Sequence, residues 1–150
     1  MARDYSNGKI YVIRNHVNDM VYVGSRTTSL AKRWYWHKQD WKREGHTISV
    51  HSAFTKLGID NFYIELYEEC PCENLSQLER REGEVIRSFD HKAYNKNIAG
   101  RTIAEYRKDN KQKTVAYNAA YYAKHRGENV EKKAAYDKQY RAMKKAQKNN

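Results

Sequence analysis

The sequence predicts an α+β fold in which helices flank a small three-stranded antiparallel sheet, followed by a basic helical tail. Two short runs rich in β-branched and aromatic residues, 9–13 and 20–25, lie on either side of a turn-prone stretch, which is the pattern of an antiparallel hairpin. A third such run, 62–67, follows two segments of helical periodicity. The element order is therefore β, β, α, α, β, and one more helix follows the third strand.

Each strand of the predicted hairpin carries a tyrosine in its interior. Side chains alternate between the faces of a strand, so Tyr11 shares a face with Ile13, and Tyr22 shares a face with Gly24. The two phenols therefore either pair across the strands and hold the sheet together, or line one surface beside a glycine. The hairpin alone favours the packing role, and residues further along the chain favour the second one.

The first predicted helix runs from about 30 to 42, with Ser29 as its N-cap. We expect its apolar stripe to face the core, and that stripe consists of Leu30, Trp34 and Trp41. Arg33 and His37 lie one turn apart at the edge of the stripe. Taken singly, a surface ion pair explains Arg33 and a hydrogen-bonded rim position explains His37. An arginine at such a rim is also able to point its guanidinium into an adjacent cleft.

A polar loop around 44–46, with His46, leads to a short second helix that Gly58 is expected to end. After the third strand, the last helix of the compact part opens at Asn74 or Ser76, which compete as its N-cap. Its predicted apolar face consists of Leu75, Leu78, Val85, Ile86 and Phe89.

Glu82 projects within about 60° of all these apolar side chains on the helical wheel. A carboxylate in such a position is costly unless it is paired, hydrogen-bonded or bound to a metal. Glu82 therefore needs a partner, and the sequence offers two: Arg33 or a divalent cation.

The positive charge is concentrated at the C-terminal end. The formal net charge is +2 through Gly100 and +9 from Arg101 onward, which gives the +11 of the 150-residue chain. We therefore expect a compact domain over 1–100 and a basic, Tyr/Lys-rich helical appendage over 101–150. Concentrated positive charge attracts phosphates or an anionic membrane surface. With no apolar run that would span a bilayer and no signal peptide, we expect a soluble, cytoplasmic protein without a membrane partner.

Only two cysteines occur, Cys70 and Cys72, separated by one proline. No second Cys or His pair at matching spacing accompanies them, so they are a poor start for a structural zinc site. We expect both to be reduced thiols, as in a reducing compartment.

The tail contains a repeat with a period of 19 residues, in which 110–127 align with 129–146. In each unit a lysine and two tyrosines recur at i, i+4 and i+8: Lys113, Tyr117 and Tyr121, then Lys132, Tyr136 and Tyr140. We expect two helices separated by Gly127, forming a hairpin that is docked loosely or ordered on binding. The tyrosines either pack the helices together or form part of a basic and aromatic binding stripe.

Taken in order, a set of residues resembles the GIY-YIG nuclease family over residues 8–100. The two signature tripeptides read Lys9-Ile10-Tyr11 and Tyr22-Val23-Gly24, and the remaining matches are Arg33, His37, Glu82 and Asn95. Lys9 stands where the signature has glycine, although Gly8 is adjacent, and Val23 replaces isoleucine. The resemblance implies a three-stranded antiparallel sheet with flanking helices, which is the order predicted above.

The resemblance also implies hydrolysis of a DNA phosphodiester with a single metal ion. Glu82 would hold Mg²⁺ or Mn²⁺, and Arg33 would clamp the phosphate oxygens. Tyr11 is the candidate general base, helped to ionise by Lys9, His37 or the metal, since a free phenol has a pKa of about 10.

Three residues receive supporting roles from the same resemblance. Tyr22 would orient the water or a phosphate, His37 would support proton transfer, and Asn95 would hold the site together by hydrogen bonds. The implied partner is DNA, and the protein would act on it as a monomer or a homodimer. The implied role is restriction, homing or repair. The protein would act in the cytoplasm, or in the nucleoid or nucleus if the DNA is chromosomal. The residues expected to contact DNA are Lys9, Lys113, Tyr117, Tyr121, Lys124, Lys132, Tyr136 and Tyr140.

Two other functions fit the composition. A basic nucleic-acid-binding protein without catalysis would use the tyrosines to stack bases and the cations to contact phosphates. A structural interaction protein would bind a partner chain through its Tyr/Lys helices and show no affinity for nucleic acid. Glu82 within an apolar stripe argues against a pure binding protein, because such a protein has little use for a carboxylate there.

Overall fold

The computed structural model of the protein describes residues 3–43 and 48–148. The predicted polar loop at 44–46, with His46, lies outside the described residues. The chain divides into two compact units, Met1–Thr102 and Ile103–Asn150.

The first unit is built on a three-stranded antiparallel sheet with the strand order β2-β1-β3, which confirms the predicted fold class. Its strands are β1 (Lys9–Asn15), β2 (Tyr22–Arg26) and β3 (Phe62–Glu69). On the β1–β2 pair, Tyr11 lies opposite Gly24 and Ile13 lies opposite Tyr22. The register between β1 and β3 shifts between Ile10 and Tyr11. Both tyrosines of the hairpin therefore occupy one face of the sheet.

The turn of the hairpin is organised by one buried asparagine. The Asn15 side chain accepts hydrogen bonds from the backbone N–H groups of Val17 and Asn18, at 2.9 and 2.8 Å, and donates to the carbonyl of Met20 at 3.2 Å. Asparagine side chains readily bond backbone groups two or three residues on in this way. Asn15 therefore closes the turn that brings β2 back alongside β1.

Three helices flank the sheet: α1 (Leu30–Lys42), α2 (Ser49–Leu57) and α3 (Leu75–Phe89). Ser29 caps α1 as predicted, accepting from the backbone N–H of Lys32 at 3.4 Å. Asn74, not Ser76, caps α3, because its side chain accepts from the backbone N–H of Gln77 at 3.1 Å. Gly58 ends α2 with a φ of 82°, a value at which glycine is favoured.

Apolar side chains cover both faces of the sheet. On one face α3 supplies Leu78, Val85 and Ile86, whereas the predicted face residue Leu75 is 40% exposed in the first turn of α3. On the other face α1 and α2 cover a cluster that consists of Tyr11, Ile13, Val50, Ala53, Phe54 and Phe62. The predicted stripe of α1, with Leu30, Trp34 and Trp41, packs against this second cluster.

The segment after α3 returns to the edge of the sheet beside β2. Val21 forms a parallel bridge with Ala93. Its N–H donates to the carbonyl of Lys92 at 2.8 Å, and its carbonyl accepts from the N–H of Tyr94 at 2.7 Å. The residues that follow, beginning with Asn95, are thereby held next to the middle of β2.

The second unit consists of three helices: α4 (Ile103–Asp109), α5 (Lys111–Lys124) and α6 (Arg126–Lys148). The prediction that Gly127 separates the last two helices is wrong. The break falls at His125, which leaves helical geometry with φ −104° and ψ 14°, and Gly127 lies inside the first turn of α6. The His125 ring packs on Tyr121 with centroids 4.5 Å apart, and its Nδ1 lies 3.5 Å from the Glu128 carboxylate. The boundary between α5 and α6 therefore lies at His125, where these contacts occur, and not at Gly127.

Both cysteines are free thiols, as expected. Of the helices that the structure describes, none combines the length and the apolar composition that a bilayer crossing demands.

Candidate active site

Tyr11 is the centre of a buried hydrogen-bond network on the α1 side of the sheet. Its side chain is 0% exposed, although a phenol carries a polar hydroxyl. That hydroxyl accepts a hydrogen bond from Nε of Arg33 at 2.8 Å and lies 3.0 Å from Nε2 of His37. Burial raises the pKa of the Tyr11 phenol, and the charge of Arg33 opposes this only in part. Tyr11 is therefore a neutral phenol in the free protein at neutral pH.

His37 is fully buried, which corrects the predicted position at a helix rim. Its ring meets the rings of Tyr11 and Tyr22 edge to face, with centroids 6.0 and 5.7 Å apart. The helical wheel placed His37 at the edge of the apolar stripe, but the hairpin tyrosines cover that edge. Burial, followed by the charges of Arg33, His51 and Arg26, lowers the pKa of His37 to about 3. His37 is therefore a neutral imidazole at neutral pH.

Arg33 lies beside both tyrosines. Its guanidinium carbon is 5.9 Å from the centroid of the Tyr11 ring, a cation–π distance. Burial and then the negative charge of Glu82 raise the pKa of Tyr22, while the charge of Arg33 lowers it. Arg33 is therefore a positive charge beside both phenols, and its field also reaches Glu82. Its side chain remains partly accessible to solvent.

Glu82 has Ser25 as its hydrogen-bond partner, through the serine side chain and backbone. Burial is the main cause that raises the pKa of the Glu82 carboxyl, and the charge of Glu79 acts in the same direction. Arg33 acts on Glu82 through its charge, which opposes the rise. The predicted need for a partner is thus met in part by Ser25, at the end of β2.

The Glu82 carboxylate borders two clefts. The first has a volume of about 340 Å³ and is lined by Tyr22, Ile48, Ser49, Glu82, Asn95, Lys96, Asn97 and Ala99. The second has a volume of about 220 Å³, and its lining includes Ser25, Arg26, Glu79 and Glu82. A partly buried glutamate that lines two clefts is accessible to a ligand in either of them.

Asn95 joins the segment after α3 to β2. Its side-chain oxygen accepts from the N–H of Val23 and its side-chain nitrogen donates to the carbonyl of Val23, each at 2.9 Å. One amide thus satisfies both backbone groups of an edge-strand residue, as a neighbouring strand would. Asn95 lines the first cleft together with Glu82.

The donor set at Glu82 fits a hard divalent cation. Within the described ranges, no group of three or more His, Cys, Asp or Glu side chains is arranged to hold a metal ion. Mg²⁺ typically takes one or two carboxylates, keeps several waters and completes its shell with substrate phosphate. A single half-buried carboxylate facing a polar cleft suits that mode and does not suit a zinc or calcium cage.

The structure brings six of the predicted site residues into one region, and they are Tyr11, Tyr22, Arg33, His37, Glu82 and Asn95. Lys9, predicted to help Tyr11 ionise and to contact DNA, instead has its ammonium 2.7 Å from the carboxylate of Glu69 on β3. The sequence did not identify His51 as part of the network, although it lies 3.5 Å from His37, because the two histidines belong to different helices.

The tyrosines of the tail repeat form matching pairs. Tyr117 stacks on Tyr121 with centroids 6.5 Å apart, and Tyr136 stacks on Tyr140 with centroids 6.3 Å apart. All four rings are exposed. The predicted alternative in which tyrosines pack helices together therefore does not describe these rings, since their partners lie one turn away on the same helix.

The three-stranded sheet, its flanking helices and the cluster around Tyr11 and Glu82 define a small α+β catalytic domain. The chain belongs to the GIY-YIG family of nuclease domains, since the family model of the GIY-YIG catalytic domain matches residues 7–95.

Curated relatives and solved structures are similar over the same region. The chain is 35% identical over 97 residues to intron-associated endonuclease 1 of Enterobacteria phage T4, which covers 64% of this chain and 38% of that protein. It is 34% identical over 82 residues to the MSV199 domain-containing protein 146R of Invertebrate iridescent virus 6, which covers 55% of this chain and 33% of that protein. The chain thus spans about a third of the length of the curated relatives it matches.

The structure of the catalytic domain of homing endonuclease I-TevI is similar with a TM-score of 0.51 and 30% identity, covering 60% of this chain and 98% of that one. The structure of a point mutant of the same catalytic domain is similar with a TM-score of 0.53 and 33% identity, covering 61% of this chain and 95% of that one.

Proposed function

We propose that the first unit is a metal-dependent endonuclease that hydrolyses DNA phosphodiester bonds. The observation that carries the proposal is the arrangement of Arg33, the Tyr11 phenol and the Glu82 carboxylate around one site. Two of the similar proteins are named as endonucleases, one intron-associated and one homing, which supports DNA as the substrate. A restriction, homing or repair role inside the cell is compatible with this chemistry.

Arg33 binds the scissile phosphate and Tyr22 helps to orient it. The Arg33 guanidinium neutralises charge on the non-bridging oxygens as the phosphorus becomes pentacovalent. Tyr22 borders the first cleft and positions the attacking water or a phosphate oxygen. Asn95 fixes the wall of that cleft, so the reacting groups meet in one geometry.

The Tyr11 hydroxyl is buried behind Arg33 in the free protein, and it becomes accessible when Arg33 turns to the phosphate. Tyr11 then takes the proton of the attacking water. The new bond joins the water oxygen to phosphorus, the bond from phosphorus to one deoxyribose oxygen breaks, and the departing oxygen is protonated from solvent. Because the Tyr11 phenol is neutral in the free protein, it passes its own proton to His37 Nε2, 3.0 Å away, in the same step in which it takes the proton of the water. Burial and the charge of Arg33 lower the pKa of His37 in the free protein, and a phosphate bound at Arg33 offsets the second of these causes. Glu82 would hold Mg²⁺ or Mn²⁺, which supplies Lewis-acid stabilisation of the phosphate when bound.

For the second unit we propose binding to the DNA backbone. The segment from Arg101 onward carries 14 Lys and Arg against 5 Asp and Glu. The lysines Lys113, Lys124 and Lys132 are exposed, and paired tyrosines offer flat surfaces to bases. Lys9, at the start of the central strand β1, has a smaller share in binding, because Glu69 already neutralises it.

The test is nicking of supercoiled plasmid DNA with Mg²⁺, with and without a chelator. We expect the wild type to cut, and Glu82→Ala and Arg33→Ala to lose at least about 100-fold in rate. Glu84→Ala is the matched control, since Glu84 lies on the same helix but is exposed and bonded to Arg81. Binding without cutting by the wild type would indicate a non-catalytic DNA-binding protein, and normal cutting by Glu82→Ala would refute the role of Glu82.

A further inference from the structure

The hydrogen-bond network of Tyr11 continues past His37 into α2. Nδ1 of His37 lies 3.5 Å from Nε2 of His51, and the two rings are nearly perpendicular, with centroids 5.8 Å apart. Both histidines are 0% exposed. The ring of His51 also packs beside Phe54, one turn further along α2, with centroids 5.5 Å apart. A second buried histidine, His51, thus contacts His37 on the side of the ring that faces away from Tyr11.

The partners of the Tyr11 oxygen determine the tautomer of His37. A guanidinium has no lone pair and always donates, so Arg33 cannot accept the phenolic proton. The other partner of that oxygen, Nε2 of His37, is then the acceptor, and in a neutral imidazole the proton must reside on Nδ1. Nδ1–H points to Nε2 of His51, which therefore accepts. The donors run in one direction, from Arg33 through Tyr11 and His37 to His51.

We propose that His51 is a positioning residue that holds His37 in the Nδ1–H tautomer, which leaves Nε2 free to take the proton of Tyr11. The inference rests on the proposed function, in which Tyr11 acts as the general base. His51 touches neither the phosphate nor the attacking water. It acts through His37, as a hydrogen-bonded neighbour sets the tautomer of a catalytic histidine elsewhere.

The proton moves in a balanced order along this line. The O–H bond of Tyr11 breaks and the Nε2–H bond of His37 forms as the Tyr11 oxygen takes the proton of the attacking water. No free phenolate arises, and the negative charge of the phosphate balances the positive charge of the imidazolium. Nδ1–H of His37 stays in place throughout and donates to His51, so the new positive charge is shared with a buried lone pair.

The charged and titratable groups around His37 make its hydrogen bond to His51 important. Tyr11 from β1, Tyr22 and Arg26 from β2, Arg33 from α1 and His51 from α2 all act on it. Arg33 and Arg26 both oppose a positive charge on the ring, and a protonated His51 would oppose it as well, so the acceptor role of His51 belongs to its neutral form. If His37 instead carried its proton on Nε2, both Arg33 and His37 would donate to the Tyr11 oxygen. The hydroxyl proton of Tyr11 would then have no acceptor, because Nε2 of His37 would no longer offer a lone pair. A buried donor without an acceptor is costly, so an acceptor at position 51 favours the productive tautomer.

The experiment compares His51→Gln with His51→Leu. Glutamine offers a hydrogen-bond acceptor near the position of Nε2, whereas leucine fills similar space without one. Val50→Ala is the matched control, because Val50 is buried on the same helix in the same apolar cluster. The tautomer of His37 is read from the ¹⁵N chemical shifts of its ring in the full chain, without metal or DNA. The rate of plasmid nicking is then measured against pH.

We expect a protonated Nδ1 and an unprotonated Nε2 on His37 in the wild type and in His51→Gln. His51→Leu should lose this pattern and cut at least about 10-fold more slowly, with its pH–rate profile displaced. His51→Gln should stay within about 3-fold of the wild-type rate, and Val50→Ala should lose stability without changing the profile.

A proton on Nε2 of His37 in the wild type would overturn the inference, even if His51→Leu did not fold. An unchanged tautomer in His51→Leu would overturn it as well. The tautomer is read without turnover, so a protein that shows the expected tautomer but never cuts DNA would contradict the proposed function and not the role of His51.

Discussion

The phenol ring of Tyr11 occupies the space that a side chain at position 24 would need. The two residues lie opposite each other on β1 and β2, and the three atoms nearest to a β-carbon built on Gly24 all belong to the Tyr11 phenol. The glycine of the second signature tripeptide therefore makes room for the tyrosine of the first. The two tripeptides are one structural unit, although ten residues separate them.

Gly24→Ala is expected to displace the Tyr11 ring and break its bonds to Arg33 and His37. We expect a loss of about 1–3 kcal/mol in the free energy of unfolding, together with at least a 100-fold loss of nicking. Urea unfolding and the plasmid assay measure the two effects.

Gly127→Ala is the matched control for that substitution. Among the residues that the structure describes, and apart from the neighbouring backbone of the same helix, no atom lies within 4 Å of a β-carbon at Gly127, which is inside the first turn of α6. Alanine there should raise helix content slightly and leave nicking by the first unit unchanged. Wild-type activity in Gly24→Ala would contradict the shared role of the tripeptides.

Tyr11→Phe removes one oxygen and leaves two buried nitrogen groups, on Arg33 and His37, without that partner. We expect the free energy of unfolding to fall by about 1–3 kcal/mol and nicking to fall by at least about 100-fold. Tyr63→Phe serves as the control, because the Tyr63 ring stacks on His16 at an exposed position and should change neither quantity. Retention of full activity by Tyr11→Phe would exclude Tyr11 as the general base.

Glu82→Gln should stabilise the metal-free protein at neutral pH while it abolishes cutting. Burial raises the pKa of Glu82 above its ordinary value of 4.5, so the folded state holds the proton more tightly than the unfolded state does. Stability from this group is therefore lost as the pH rises from about 4.5 through the folded pKa, and it stays lost above it.

The measurement is the melting temperature from pH 4 to pH 8 in buffer with a chelator. The difference between Glu82→Gln and the wild type should be near zero at pH 4 and positive at pH 7, by about 2–5 °C. Glu84→Gln, which loses an exposed ion pair with Arg81, should show no such gain. A variant less stable than the wild type at pH 7 would indicate that the bonds from Ser25 outweigh the cost of burial.

Asn95→Asp keeps an acceptor for the N–H of Val23 but loses the donor to its carbonyl. We expect a cost of about 1–2 kcal/mol in unfolding free energy and a reduced nicking rate, because the segment that forms the cleft wall is held less firmly. Asn97→Asp is the control, since Asn97 lines the same cleft but is exposed. Equal effects of the two substitutions would point to charge in the cleft, not to the bonds with Val23.

Deletion of residues 103–150 should weaken DNA binding while the first unit keeps its fold. Replacement of Lys113, Lys124 and Lys132 by alanine in the full chain should flatten the plot of log affinity against log salt by up to about 3 units of slope. Fluorescence anisotropy with a labelled duplex measures both. The control removes negative charge from the same unit: replacement of Glu128, Glu131 and Asp137 by alanine should strengthen binding. A DNA affinity that does not change when the tail is deleted would refute the proposed role of the tail.

The sequence was sufficient to predict those secondary-structure elements whose pattern lies within a single segment of the chain. Strand alternation and helical periodicity predicted the sheet, α1 and α3, because each pattern follows from the backbone geometry of its own segment. Glu82 was identifiable for the same reason, as a carboxylate on an apolar helical face. The Tyr/Lys repeat likewise predicted a helical tail.

Features that depend on contacts between distant segments were not predictable in this way. The burial of His37 follows from the hairpin tyrosines covering the edge of α1, and the contact with His51 joins two helices. The substitution at Lys9 has a similar explanation. A β-carbon on Gly8 would collide with the backbone carbonyl of Cys70, whereas the Lys9 side chain extends to Glu69, so glycine is needed at position 8.

The backbone bonds between Val21 and the segment 92–94 have a consequence for solubility. β2 and β3 are the outer strands, and an outer strand with unpaired backbone groups invites pairing with another chain. Residues 92–95 occupy the open side of β2. The outer strand β3 carries Glu65, Glu68 and Glu69, which form ion pairs with Arg14, Arg81 and Lys9, and charged side chains on an outer strand disfavour its pairing with another chain. A shortened fragment that ended before Lys92 would expose β2 and aggregate through it.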